Sequence, residues 1–299
     1  MNIIKSDNLV TVLTPTYNRG EQLINLYKSL VNQSNNEFVW LIIDDGSTDR
    51  TEQLVEELIK ENRITIEYIK RQNGGKHRAL NTGIKMVKTE LTFIVDSDDV
   101  LTEDAIQEIY DTWAIYRAKD ICGISFLRGY NETKVIGDSF KDYCFIDTFN
   151  NVRLNKNVKG DKAEIWVTDY LKEVPFLEFD GEKFFSENYV WVNLSKKYSM
   201  VFVSKIIYIT AYLEGGLTKS GRKLLISCPL GGTANANELL SREFSHKVRF
   251  KNALLFIVYS LFARKNILRA IESNENKGLL MVALPFAYIM FRYWKLKYD

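Results

Sequence analysis

Apolar and polar positions fall into alternating blocks along the first part of the chain. Residues 9–14 (LVTVLT) are apolar and β-branched and stop at Pro15, which predicts a buried strand entering a turn. Leu23, Leu26, Tyr27, Leu30 and Val31 recur at helical spacing and predict an amphipathic helix over 21–33. A second apolar run, FVWLII (38–43), ends at Asp44-Asp45-Gly46. Asp49, with Glu52 three residues on, reads as the N-cap of a helix over 50–61. ITIEYI (64–69) predicts a third strand, 76–88 a helix, and LTFIV (91–95) a fourth strand ending at Asp96. Thr102 is placed to cap a helix over 103–118. Strand–helix alternation at this spacing means a doubly wound, mainly parallel α/β sheet, in which ligands bind beyond the carboxyl ends of the strands. Three of the four strands end in polar loops that such a sheet would bring together: Pro15-Thr16-Tyr17-Asn18-Arg19, Asp44 to Asp49, and Asp96-Ser97-Asp98-Asp99.

The pattern changes after residue 120. Short strands, aromatics and loops mix over 121–240, and 241–299 reads as a helical extension. This divides the chain into a ligand-binding half (1–120), a second half (121–240) and the helical region. Within the last, GLLMVALPFAYIMF (278–291) is apolar but short of the ~20 residues a bilayer span needs, and Pro285 interrupts it. It suits a helix packed on the domain, a contact with another copy of the chain, or an interfacial segment with Trp294, Lys295 and Lys297 at its edge.

Composition narrows the chemistry. The 299 residues carry 40 Lys and Arg against 38 Asp and Glu, a net charge of +2, without the basic excess that duplex nucleic acid binding favours. Three scattered cysteines, Cys122, Cys144 and Cys228, form no CxxC pair and suggest neither a disulfide framework nor a structural zinc site. Only His77 and His246 could serve a histidine-based metal site or hydrolase triad. The N-terminal residues do not read as a signal peptide, so a cytoplasmic setting is expected, with the inner face of the membrane as the surface the C-terminal segment would meet.

Taken alone, Asp96-Ser97-Asp98-Asp99 is a good turn and cap sequence, yet it also sets two hard oxygen ligands close together, as Mg²⁺ or Mn²⁺ prefers. Taken in order, TPTYNR, IIDDGSTD, NGGKHRALNTGI and FIVDSDD resemble the nucleotide-diphosphosugar-binding half of family 2 glycosyltransferases. The resemblance is strong over 9–120 and loose over 160–230. It implies a GT-A fold and transfer of a sugar from a UDP-sugar to the hydroxyl of a saccharide or lipid-linked saccharide, with inversion and with Mg²⁺ or Mn²⁺, in bacterial surface polysaccharide synthesis. It further implies that Pro15, Thr16 and Tyr17 line the base pocket with Arg19 nearby, and that Asp45 accepts the uracil N3–H. Asn73, Lys76 and Arg78 would meet phosphate or ribose, Asp96 and Ser97 ribose or sugar, and Asp98 the metal, with Asp96 beside it and Asp99 as the alternative register.

The family's acidic motif, often Glu-Asp, at the start of a helix below the donor sugar corresponds to FLEFDGEKFFSENYVW (176–191), which lacks that dipeptide. Glu182 is the expected base, with Asp180 and Glu187 as alternatives. The basic, glycine-containing stretch Gly215–Lys223 reads as a loop able to close over a diphosphate. The segment Lys159–Glu164 is also similar to relatives but suggests no role. Two other readings compete: a nucleotidyltransferase that makes a nucleotide sugar, although TPTYNRG is poor in Gly and Lys for that chemistry, and a non-catalytic sugar-binding subunit of a polysaccharide assembly complex.

Overall fold

A computed structural model describes residues 8–210 and 217–298. In chain order the elements are β1 (Val10–Thr16), α1 (Gly20–Val31), β2 (Phe38–Asp44), α2 (Thr51–Glu61), β3 (Thr65–Lys70), α3 (Lys76–Met86), β4 (Leu91–Ile94), β5 (Val100–Leu101), α4 (Ala105–Tyr116), β6 (Ile121–Gly129) and β7 (Cys144–Asp147). A short π-helix (Asn150–Asn155) leads to β8 (Lys162–Val167), α5 (Thr168–Glu173), α6 (Asn188–Ser195) and β9 (Ser199–Ile209). The C-terminal part holds α7 (Leu217–Ser227), α8 (Pro229–Glu238), α9 (His246–Phe262), α10 (Ile267–Glu272) and α11 (Lys277–Tyr298).

Among the described residues the strands form one sheet in the order β3-β2-β1-β4-β8-β6-β9-β5, with β7 on β9. The pairs β1–β2, β2–β3 and β1–β4 are parallel, the expected doubly wound half. Beyond β4 the sheet is mixed: β8 runs antiparallel to both β4 and β6, while β6 and β9 are parallel. The two halves are thus hydrogen-bonded into one sheet across β4–β8, and β5 of the first half pairs with β9 of the second.

Burial explains the layers. All seven residues of β1 and of β2 are buried, as strands covered on both faces must be. On one face Leu23 and Leu26 of α1, Val55 of α2 and Ile109 and Trp113 of α4 pack against the sheet. On the other, Leu80 and Ile84 of α3, Leu171 of α5 and Val190 and Leu194 of α6 do the same. A third core joins α8, α9, α10 and α11 through Ala236, Leu240, Ile257, Ile271, Leu280 and Trp294.

Three local expectations change. Asp49 serves the start of α2 from just outside it, its Oδ1 accepting from the Thr51 amide at 3.0 Å. Thr102 does not cap α4 with its side chain; its hydroxyl donates to Asp104 Oδ1 (2.8 Å) and its carbonyl takes the Ala105 amide. Pro285 does not interrupt the last helix, which runs unbroken through it. The ring faces outward, so the Met281 carbonyl that loses its helical partner sits on the exposed side, where water can satisfy it.

Candidate active site

The polar loops converge at the carboxyl ends of β1, β2 and β4. Pro15 and Thr16 end β1 as buried residues, and the Tyr17 ring is nearly half exposed beyond them. Asn18, in the left-handed region at φ 51°, turns the chain and accepts the Thr48 amide at 2.8 Å, so the first two loops are tied together. Asp44 is wholly buried and structural, accepting from the Ser47 amide (2.7 Å) and the Tyr68 hydroxyl (2.6 Å).

Asp45 departs from the expected role. Its carboxylate accepts from the Arg71 guanidinium, Asn73 Nδ2 and the Gly74 and Gly75 amides, the last at 2.6 Å. Four donors fill the acceptor capacity of a carboxylate. Asp45 therefore shapes the NGGK loop, and recognition of a uracil N3–H by it would require one of those donors to yield.

Arg78 is also committed inward. It donates to the carbonyls of Gly74, Glu182 and Phe179, each at 2.8 Å, and to Glu178 at 3.2 Å. Asn81 exchanges hydrogen bonds with the Phe176 backbone, and Lys183 Nζ reaches Asn73 Oδ1 at 2.9 Å. The polar residues of NGGKHRALN thus fasten the 176–183 segment to the first half, rather than facing a ligand.

Lys76 is the exception. Its ammonium lies 2.6 Å from Asp96 Oδ1 and 2.8 Å from Glu187 Oε1. Lys76 opens α3, where a cation opposes the helix dipole; burial would lower its pKa further, but Asp96 and Glu187 outweigh both and hold it charged, above the ordinary lysine range. Asp98 pairs with Arg19. Burial would raise the Asp96 carboxyl, but Lys76, Arg128 and Arg19 keep it below the usual carboxylate range.

Glu187 precedes α6 at its N-cap position and does not cap the helix with its side chain, which instead faces Lys76. Glu182, the expected base, lies elsewhere. Its side chain is buried, with Oε1 accepting from Leu230 N (2.6 Å) and Oε2 from Gly231 N (2.8 Å), the first amides of α8. A carboxylate at a helix N-terminus satisfies orphan amides and favours the dipole. Both of its oxygens are spent on that structural role.

Three residues of the second half complete the site without a signal in the sequence. Tyr208 of β9 donates to Asp99 Oδ2 (2.7 Å) and accepts the Asp96 amide (2.9 Å), fixing the DSDD turn. Arg128 of β6 stacks on the Tyr208 ring at 3.9 Å and donates to the Lys162 carbonyl. Glu164 of β8 is partly buried, and burial pushes its carboxyl up to about 7 although Arg153 and Arg128 pull it down. Each takes its place only through sheet pairing with distant strands, so no spacing rule marks it. The segment holding Glu164 also gains a structural account: Lys162 is buried and donates to the carbonyls of Lys159 (2.9 Å) and Ile136 (3.3 Å), pinning two loops. Ser97 is buried within its turn. Of the expected closing loop, Gly215 and Gly216 lie outside the described residues, and the rest falls in the helical segment 217–227, which is kinked at Gly221 (φ 44°, ψ −123°). A cleft of about 760 Å³ among α8, α9, α10 and α11 includes none of these residues.

His77 is buried against Phe185, which holds its pKa down to about 4; its Nδ1 has no partner. A base whose folded pKa is depressed contributes stability above its unfolded pKa, lost as pH falls through the folded value. Stability should therefore fall by about 3 kcal/mol between pH 6.5 and 4 from this residue, at about 1.36 kcal/mol per unit. Urea unfolding of His77→Phe across that range should show the slope flattened; an unchanged slope would exclude the residue as its source.

A parallel half-sheet carrying a carboxylate-rich turn at its strand ends, with a second half that brings a further acidic side chain beside it, is a doubly wound α/β arrangement whose ligand site lies beyond those strand ends. The chain belongs to glycosyl transferase family 2, whose family model matches residues 11–166. It is 26% identical over 228 residues to glycosyltransferase GlyA of Streptococcus pneumoniae, covering 71% of this chain and 32% of that protein. It is 37% identical over 106 residues to the poly(ribitol-phosphate) beta-N-acetylglucosaminyltransferase TarP of Staphylococcus aureus, covering 34% of this chain and 32% of TarP. The aligned stretches thus span about a third of these curated relatives. Among solved structures, S. aureus TarS 1-349 in complex with UDP-GlcNAc superposes with a TM-score of 0.60 at 19% identity, covering 93% of this chain and 80% of that one. The mannosyltransferase PcManGT of Pyrobaculum calidifontis, in complex with GDP-Man and Mn2+, gives 0.59 at 15%, covering 96% and 82%. At such identities these structures speak for the shared fold, which is the GT-A arrangement expected.

Proposed function

We propose that this chain transfers a sugar from a UDP-sugar to an acceptor hydroxyl, with inversion at the anomeric carbon, in the assembly of a bacterial surface polysaccharide. The observation that carries the reading is the ion network Asp96–Lys76–Glu187. It sets a carboxylate from the second half beside the DSDD turn of the first. Glu187 is the base in this reading, in place of Glu182: it takes the acceptor's proton as the oxygen attacks, and the UDP leaves from the opposite side. Arg19 and Lys76 face the leaving diphosphate with positive charge, and Tyr17 offers its exposed ring to the base. The relatives' names and the UDP-GlcNAc bound to TarS put UDP-GlcNAc first among donors to test.

Asp96 and Asp98 each keep one oxygen outside the ion pairs with Lys76 and Arg19. Among the described residues no third His, Cys, Asp or Glu completes a cluster with them. An open pair of hard carboxylates fits Mg²⁺ or Mn²⁺, which commonly keeps waters and binds substrate phosphates. When bound, such an ion neutralises the charge developing on the leaving diphosphate.

The test is incubation of the purified protein with a panel of nucleotide sugars and Mn²⁺ or Mg²⁺, reading UDP release and product anomeric configuration. Transfer or slow donor hydrolysis is expected, and Asp98→Ala should abolish metal-dependent turnover. Full activity in that variant would overturn the site assignment. Pyrophosphate release would point instead to nucleotide-sugar synthesis, and UDP binding without turnover to a sugar-binding subunit.

A further inference from the structure

The C-terminal helices carry a charge and surface pattern that the transfer reaction does not use. Residues 246–298 hold ten Lys and Arg against two Glu. The whole chain has 40 against 38, so the other residues hold 30 against 36 and are net acidic. The positive charge is therefore segregated onto α9, α10 and α11. Within α11 every charged side chain is basic: Lys277, Arg292, Lys295 and Lys297.

The same helix is two-faced. Leu280, Ala283, Ala287 and Trp294 are buried in the C-terminal core, and the small alanines allow close approach to α9. Trp294 is further covered by the Arg222 guanidinium at 4.2 Å. Turned outward are Met281, Val282, Phe286, Ile289, Tyr293 and Leu296, with Ile289 69% and Leu296 83% exposed. On α9, Phe250 meets Phe286 edge to face, ring centroids 6.3 Å apart, with exposed Lys247 and Lys251 on either side of it in sequence. The patch is thus two helices wide, apolar at its centre, and bordered by lysine and arginine.

We propose that this face seats on an anionic lipid bilayer, with α11 lying in the plane of the interface. Exposed apolar side chains of this size enter the headgroup–acyl boundary, while neighbouring basic residues pair with acidic headgroups and tyrosines sit at the polar level. Although α11 is long and apolar enough to cross a bilayer, spanning would strip Leu280, Ala283, Ala287 and Trp294 from their core and carry Arg292 into hydrocarbon. A second copy docking face to face would set one strongly basic surface against another, which like-charge repulsion opposes. A bilayer of negative charge matches both features of the patch.

The test is co-sedimentation of the full chain with vesicles of phosphatidylcholine alone and with vesicles in which phosphatidylglycerol replaces part of it. Binding is expected to the second kind only and should weaken as salt is raised. Two variants separate the contributions. Phe286→Ser/Ile289→Ser/Leu296→Ser removes exposed apolar groups, and Arg292→Glu/Lys295→Glu/Lys297→Glu reverses the charge. Each should lower the partition coefficient roughly tenfold or more, with far-UV circular dichroism and melting unchanged because these side chains lie outside the core. Equal binding to both vesicles, binding to neither, or a stable oligomer dispersed by the apolar variant would each overturn the proposal. None of these outcomes bears on sugar transfer, which is read separately by UDP release.

Discussion

Glu187→Gln should lower kcat by roughly a hundred- to ten-thousandfold, the range for losing a positioned general base, while leaving donor affinity within a few fold. Gln keeps the size of Glu but cannot accept the proton of the attacking hydroxyl. The structural cost should be small. The Glu187–Lys76 pair is about a third exposed on each side, where such a pair contributes under about 1 kcal/mol, and Lys76 retains Asp96. Glu182→Gln should behave in the opposite way. Its two oxygens accept the Leu230 and Gly231 amides, and a Gln must turn its NH₂ toward one of those N–H groups, donor against donor. About 1.5–3 kcal/mol of stability should go, with the loss appearing in the melting temperature of the α8 region before it appears in kcat. Steady-state kinetics and thermal melts on the two variants decide the matter. Near-normal turnover in Glu187→Gln, together with a normal melt and lost kcat in Glu182→Gln, would return the base assignment to Glu182.

A large loss of folding stability should come from Gly75→Ala. Gly75 sits at φ 101°, ψ 156°, a backbone region open almost only to glycine. A Cβ there would overlap the Lys183 carbonyl, its carbon lying 2.8 Å away. That neighbour is backbone, held in place by the Arg78 bond to the Glu182 carbonyl next to it, so no side-chain rotation relieves the clash. Strain at such positions costs about 1–3 kcal/mol alone, and the overlap adds to it. A fall in melting temperature of about 6–12 °C is expected, at 2–4 °C per kcal/mol. Donor binding should weaken too, because Lys76 follows directly and its reach to Asp96 and Glu187 depends on the path of this loop. A melt and donor affinity like those of the parent protein would mean that the 176–183 segment moves aside freely.

The first-half fold was legible because its signals are local. Continuous apolar runs such as FVWLII can be stable only when buried on both faces, and the helical spacing of Leu23, Leu26 and Leu30 shows which side packs. The turn after β4 was legible as an acidic site for the same reason, since strand ends in a parallel sheet bring their loops together. The antiparallel insertion of β8 between β4 and β6 was not, because pairing over such a sequence distance leaves no periodicity of its own.

The charged residues illustrate the division further. Asp45, Arg78 and Glu182 belong to motif positions or candidate stretches, yet each spends its polar atoms on other groups of the protein, backbone amides or carbonyls among them. Glu187, weighed only as an alternative, meets the donor half through Lys76. Sequence order and residue type by themselves determined the family, the parallel half-sheet and the location of a carboxylate-rich site at its strand ends, because strand burial and loop convergence follow from local pattern and chain direction. Only the tertiary structure decided which donors hold each carboxylate. A carboxylate's availability depends on how many donors surround it, and those donors arrive from strands and helices tens to more than a hundred residues away: the amides of α8 for Glu182, the ammonium of Lys76 for Glu187, and the hydroxyl of Tyr208 for Asp99.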